Sequence, residues 1–315
     1  MAKLEFDDKK SINELLKEYN STSLIECAAL CQRECRFFGF NSQMKKCHTH
    51  KKILTSEMSN EGDWRFYSHK FIPKDCKDLH TDGHTKTGVY EIYPYGTFTS
   101  PVRVYCDMET MDGGWMAIQK RVNGSLSFDR NWTEYKNGFG SPEQDIWVGN
   151  DVIHQLTKGH NSSLYVSIIL TNGSSLYELY DRFSVSDETE KYQLFLAGPA
   201  MGTLGDSMLD TGYPNDYCNI LSLFLQVTVC DSMLNTGSPD LKALSGMYFT
   251  TSDRDNDRNI KSNCAVINRG GWWFNSCRWA FLNGPWYPAA WSKPWHPTVK
   301  NGTSVRGTMM LIKRH

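Results

Sequence analysis

The chain has 315 residues, of which 40% are hydrophobic and 22% charged, with a formal net charge of −1. This balance excludes a disordered chain and gives two ordinary domains or one large one. A charge this close to zero supplies no long-range field for nucleic acid or an anionic membrane. The longest apolar run, ILSLFLQVTV at 220–229, is too short for a membrane span and contains Gln226.

The opening MAKLEFDDKK has no apolar core of its own and does not read as a secretory signal. The remainder reads as extracellular. There are ten cysteines and six N-x-[ST] sequons, at Asn20, Asn123, Asn131, Asn161, Asn172 and Asn301. Secretion and N-glycosylation are therefore expected, with a start upstream of this sequence.

The first segment clusters Cys27, Cys31, Cys35 and Cys47. Ser23 and Glu26 form a capping-box pattern that opens a helix, LIECAALCQREC, whose face carries Leu24, Cys27, Ala28, Cys31 and Cys35. RFFGFN and DWRFYSH read as strands. His48 and His50 adjoin Cys47, but the cysteine spacings do not match paired zinc ligands, so disulfides are the reading. Four cysteines allow three connectivities. The Cys-bearing helix followed by F-x-F-N and a later cysteine resembles a PAN/apple domain, over 1–70. That resemblance implies the nested pairs Cys27–Cys47 and Cys31–Cys35.

KFIPKD supplies a linker at 71–74, broken by Pro73. A second domain, 75–315, follows. GVYEIYP and PVRVYCDM alternate as half-buried strands, GGWMAIQKR is another, and SLYVSIILT with SLYELYDRFSV reads as a hairpin. Asp151 is placed to cap the short helix VIHQLT. The mixture is α+β with much loop.

Near the C-terminus, SDRDNDRNIKSNC crowds Asp253, Asp255 and Asp257 into five residues, and GGWWFNSC follows. Like charges this close repel unless solvent or a cation separates them. An EF-hand fails, because Arg258 and Cys264 stand where glycine and glutamate are needed. From DCKDLHTDGHTKTGVYEIYP through IWVGN, FTTSDRDND and SNCAVINRGGWWFNSC to LNG, the motifs run in order. They resemble a fibrinogen C-terminal domain over nearly all of 75–315.

The resemblance implies disulfides Cys76–Cys106 and Cys264–Cys277, and a loop-rich lobe holding Ca2+ beside a recognition pocket. Its calcium carboxylates fall on Asp255 and Asp257. Counting back from Cys264 gives the carbonyls of Ile260 and Ser262, and counting forward from Asp257 gives Asn259 and Lys261. Core packing claims most of Trp272 and Trp273, with one ring left to line the pocket. The pocket is expected to use Asn268, Phe274, Arg278, Trp291 and Trp295. Arg278 stands where lectin-like members have histidine, and Asn268 where they often have tyrosine. The loop PWYPAAW (285–291) is also short. Arg278 then favours a carboxylate or sulfate.

GDSMLDTG (205–212) recurs as CDSMLNTG (230–237), with six of eight positions identical. The intervening insertion, about 205–230, brings Cys218 and Cys230, which have no partner in the family pattern. The chain has neither a G-x-S-x-G elbow nor an H-E-x-x-H helix, and no enzyme is expected. The expected function is a secreted, calcium-dependent, lectin-like recognition protein binding glycans or other surface ligands in innate recognition. The alternative is a matrix or adhesion protein that binds another protein through the same lobe. Assembly into oligomers is expected through the apple-like domain or the extra cysteines.

Overall fold

The computed structural model describes residues 9–11, 15–31, 35–50, 58–60, 62–68, 71–96, 100–159, 161–206, 208, 244–277, 280–286, 295, 298–299 and 305–315. The chain divides into two compact units, Met1–Ile72 and Pro73–His315.

The first unit contains β1 (Lys9–Ser11), β2 (Leu15–Asn20), α1 (Leu24–Leu30), β3 (Phe37–Asn41), β4 (Lys46–His50), β5 (Met58–Asn60) and β6 (Trp64–Ser68). Four of the strands form an antiparallel sheet in the order β2-β4-β3-β6. The period of two sends Phe38, Phe40, Cys47 and Tyr67 to one face, where α1 brings Cys27 and Ala28. The other face carries His48 and His50 with Trp64 and Phe66, and the His48 and Trp64 ring centroids lie 4.1 Å apart. Gly39 sits under Phe66, where an added Cβ would come within 2.6 Å of the ring.

Disulfides join Cys27 to Cys47 and Cys31 to Cys35. The helix is shorter than the sequence pattern suggests. It ends at Leu30, Cys31 is its C-cap, and Cys35 lies beyond it. Glu26 also departs from the capping box. Ser23 Oγ accepts from Glu26 N at 3.2 Å, but the Glu26 carboxylate reaches back to Thr22 N at 2.7 Å.

The second unit contains α2 (Cys76–Thr81), β7 (Gly88–Ile92), β8 (Val102–Asp107), β9 (Trp115–Arg121), α3 (Trp132–Asn137), β10 (Phe139–Gly140), β11 (Ile146–Trp147), α4 (Asn150–Thr157), β12 (Ser162–Leu170), β13 (Ser175–Val185), β14 (Leu194–Gly202), α5 (Cys264–Asn268) and β15 (Val305–Arg314). It is mostly sheet with a few short helices, less helical than an α+β reading implies. Among the described residues its nine strands run β10-β11-β9-β15-β12-β13-β14, with β8 joining β7 to β9.

The C-terminal strand β15 lies centrally, with Met310 opposite Gln119 of β9 and Val166 of β12. Such a pairing spans most of the unit in sequence. The β12–β13 hairpin forms where the sequence reads one. Asp75 caps α2, accepting from Asp78 N at 2.9 Å, and Cys76–Cys106 ties that helix to β8.

Asp151 does not cap α4. The N-cap is Gly149, whose φ of 106° suits glycine. Asp151 lies inside the first turn and accepts a hydrogen bond from the Tyr192 hydroxyl.

Candidate functional site

An aromatic nucleus supports the loop-rich lobe. Tyr135 of α3, Trp147 of β11, Phe249 and Trp273 pack in tilted and edge-on pairs, with centroids 5.1–6.0 Å apart. Trp272 and Trp273 are both fully buried, so neither ring lines a pocket. The Trp273 indole donates to Tyr192 O at 2.8 Å. The Tyr135 hydroxyl accepts from Gly271 N at 2.9 Å and donates to Phe128 O at 2.7 Å. Gly271 must be glycine, because a Cβ there would come within 2.7 Å of the Tyr135 ring. The motif LNG is bound to the sheet through Gln119, whose side-chain amide donates to Leu282 O and to Asn283 Oδ1.

On this base stands the acidic loop, closed by the Cys264–Cys277 disulfide. Asp257 accepts from two main-chain groups, Asn259 N at 2.8 Å and Cys264 N at 2.7 Å. Asp255 Oδ1 lies 3.3 Å from Asp257 N. Burial, joined by the neighbouring charge of Asp255, raises the Asp257 carboxyl above its usual range, against the lowering pull of those two N–H groups. Asn259 braces the loop, its amide donating to Ser262 Oγ at 3.1 Å and to Cys277 Sγ at 3.4 Å.

Asp253 turns away and accepts from Trp132 N at 2.9 Å and Thr251 Oγ1 at 2.7 Å. Asp255 and Asp257 are therefore the pair left beside each other. Among the described residues, no group of three or more His, Cys, Asp or Glu side chains is placed to hold a metal ion. A cation at this pair needs main-chain oxygens as well, and an oxygen-only donor set is what calcium takes.

The expected ligand pocket is different. Phe274 is fully buried against Phe281, with centroids 5.1 Å apart. Trp295 is fully buried, and its indole donates to Gly205 O at 2.7 Å. Asn268 is buried and donates to Cys264 O at 2.7 Å, tying off α5. These three belong to the interior because each has a structural partner there. Arg278, Trp291, Asn301, Cys218 and Cys230, with nearly all of the insertion, lie outside the described residues. Asn20, Asn123, Asn131, Asn161 and Asn172 are exposed.

Two features of the lobe carry no motif. Ile260 at the loop tip is 97% exposed, and Val266 and Ile267 on α5 are each 55% exposed. Behind the loop, Lys191, Gln193, Tyr248 and Arg258 join Asp255 and Asp257 around a groove of about 430 Å³. Residues so far apart in sequence give no local pattern.

No helix among the described residues is long and apolar enough to cross a membrane. Fibroleukin of Bos taurus is 39% identical over 216 residues, covering 69% of this chain and 42% of that protein. Angiopoietin-1 of Rattus norvegicus is 32% identical over 276 residues, covering 86% of this chain and 48% of that protein. The chain thus spans less than half the length of these relatives. Lamprey fibrin D-dimer, solved with the peptide ligand Gly-His-Arg-Pro-amide, superposes with a TM-score of 0.62 at 27% identity. That match covers 78% of this chain and 74% of the lamprey one. The family model for fibrinogen beta and gamma chains, C-terminal globular domain, matches residues 72–312, and the chain belongs to that family.

Proposed function

We propose that this chain is an extracellular recognition protein that binds another protein through the lobe built on the Asp255–Cys264 loop. The observation that carries the reading is the apolar surface there. Ile260, Val266 and Ile267 are exposed on a segment braced by a disulfide and by Asn259. Large aliphatic side chains on a rigid, polar-rimmed loop suit a protein contact better than a sugar. The buried state of Phe274 and Trp295 argues against an aromatic sugar pocket built from them. The lamprey relative's peptide ligand is in keeping with a protein-binding lobe.

Calcium is part of the proposal. Asp255 and Asp257 would hold it, with carbonyls of the loop, Ile260 and Ser262 or Asn259 and Lys261, completing the shell. Its role is to keep the loop in its receiving shape. The four disulfides among the described residues and the exposed sequons favour an oxidising, extracellular setting. The first unit, a helix on a four-stranded sheet with two disulfides, is proposed to be apple-like and to serve partner binding or assembly.

The test is saturable binding of the labelled chain to cells pretreated with protease or with glycosidases. Protease should abolish binding and glycosidases should spare it. Ile260→Asp should weaken binding at least about tenfold while leaving the melting temperature unchanged. Binding that resists protease and disappears with glycosidases would establish the lectin-like alternative instead.

A further inference from the structure

We propose that the groove behind the acidic loop is a second binding site, for the anionic group of a sugar, a sulfate ester or a carboxylate. The groove has about 430 Å³, within the range of small-ligand pockets. Two cations line it, Lys191 and Arg258. Neither is in a salt bridge among the described residues. The neighbouring Lys136 and Arg254, by contrast, are both paired with Glu188.

The walls are fixed by backbone bonds. Lys191 has φ 55° in a turn closed by Lys191 N to Glu188 O and Tyr192 N to Asp187 O, both 2.9 Å. Lys191 O accepts from Phe249 N at 3.0 Å, and Arg258 N donates to Asn275 O at 2.9 Å. The two positively charged side chains therefore project from anchored main chain on different segments.

The remaining lining supplies sugar chemistry. Tyr248 is half-buried, and the Lys191 ammonium lies 5.2 Å from its ring centroid. The ring thus steadies the ammonium at the edge of the groove. Arg258 offers planar donors suited to the paired oxygens of sulfate or carboxylate. Gln193 is held by its own bond to Gly246 O at 2.9 Å, which leaves its amide oxygen as an acceptor for a hydroxyl.

Asp255 and Asp257 line the same groove. In the bare protein they cancel the charge of Lys191 and Arg258. A divalent ion on the pair would leave the groove net positive, so anion binding should strengthen with calcium. This dependence, though not the groove itself, rests on the calcium reading above.

The experiment is calorimetric titration of the whole chain with three disaccharides: one sulfated and carrying a uronic acid, its desulfated counterpart, and a neutral one. Calcium is titrated separately. The sulfated sugar should bind at least about tenfold more tightly than the neutral one. The desulfated uronic-acid sugar separates the sources, binding near the sulfated one if carboxylate suffices and near the neutral one if sulfate is needed. Lys191→Gln and Arg258→Gln should each weaken binding about fivefold or more, and Lys191→Arg should retain it. Melting temperatures should not change.

Equal binding of all three sugars overturns the proposal. So does a Lys191→Gln/Arg258→Gln double variant that binds as well as the natural chain. A sulfotyrosine peptide displacing the sulfated sugar at lower concentration than any sugar assigns the groove to protein and overturns it too. If the sulfated sugar binds through Lys191 and Arg258 but calcium does not bind, the groove stands and the calcium reading falls. If calcium binds and no sugar does, the reverse holds.

Discussion

Asp253 Oδ1 accepts a hydrogen bond from Trp132 N at 2.9 Å, across 121 residues of sequence. Trp132 opens α3, whose N-cap is Asn131. The first N–H groups of a helix lack intrahelical partners, and a carboxylate there also meets the positive end of the helix dipole. Asp253 therefore fastens the acidic loop to α3. Asp253→Ala should cost about 1–2 kcal/mol and leave calcium affinity close to that of the natural chain. Chemical denaturation and calcium titration of the same variant check both halves. A calcium affinity that falls with Asp253→Ala would add Asp253 to the proposed metal set.

Calcium should act as a stabilising ligand of modest affinity, with a dissociation constant of about 10⁻⁴–10⁻³ M, since only two carboxylates contribute. At about a hundred times that constant, binding to the folded state alone adds about 2.7 kcal/mol. The melting temperature should rise with calcium and return on chelation. Asp257→Asn should abolish the rise, because it removes one carboxylate charge while its side-chain oxygen still accepts from a main-chain N–H. A melting curve indifferent to calcium and chelator would remove calcium from the account.

Much of the fold is legible in local pattern, because alternation and turn chemistry are local. Gly88–Ile92 and Val102–Asp107 are strands where apolar and polar residues alternate, and Phe37–Asn41, Trp64–Ser68 and the β12–β13 hairpin are strands where the sequence reads them. The acidic pair is legible as well, since Asp255 and Asp257 are two residues apart. What hides is the side of the fold that each aromatic faces. Trp272, Trp273, Phe274 and Trp295 look alike in sequence, and only partners such as Tyr192, Gly205 and Phe281 decide that all four are interior. The role of Asp253 hides for the same reason, because its partner lies on α3. Cys35 misled the helix reading because a disulfide, and not a helical turn, brings it to Cys31.

Glu178 is buried in β13, and burial followed by the charge of Asp206 pushes its carboxyl up to about 8. Tyr180, two residues on, donates to Asp206 Oδ1 at 3.3 Å. A carboxyl raised in the folded state binds its proton more tightly there than in the unfolded chain. Its contribution is greatest below the unfolded value, near 4.5, and falls as pH rises to about 8. Glu178→Gln keeps an acceptor for the Leu204 and Gly205 N–H groups and removes the titration. The variant should gain stability relative to the natural chain as pH rises from about 5 to 8, by at most about 1.4 kcal/mol per pH unit. Denaturant unfolding at several pH values reads the slope. A difference between variant and natural chain that does not change with pH would mean that Glu178 ionises normally.

Asn131 offers a case where a helix cap and a glycosylation sequon fall on one side chain. Its Oδ1 accepts from Glu134 N at 2.9 Å, while Glu134 Oε2 accepts from Asn131 N at 3.0 Å, so the capping box of α3 is complete. An N-linked sugar attaches at Nδ2 and leaves Oδ1 free to cap. Glycan and cap are therefore compatible, and substitutions separate them. Asn131→Asp keeps a capping oxygen and loses the sugar, so it should lower the glycosylated mass with little change in stability. Asn131→Ala loses both and should cost about 1 kcal/mol more. Asn172→Gln serves as the control. Asn172 is exposed in the hairpin turn, where its Oδ1 accepts from Ser174 N at 2.9 Å and supports no helix. Mass spectrometry of secreted protein, with and without glycosidase, gives occupancy, and denaturation gives the cap. Equal stability of Asn131→Asp and Asn131→Ala would show that Asn131 does not carry the start of α3.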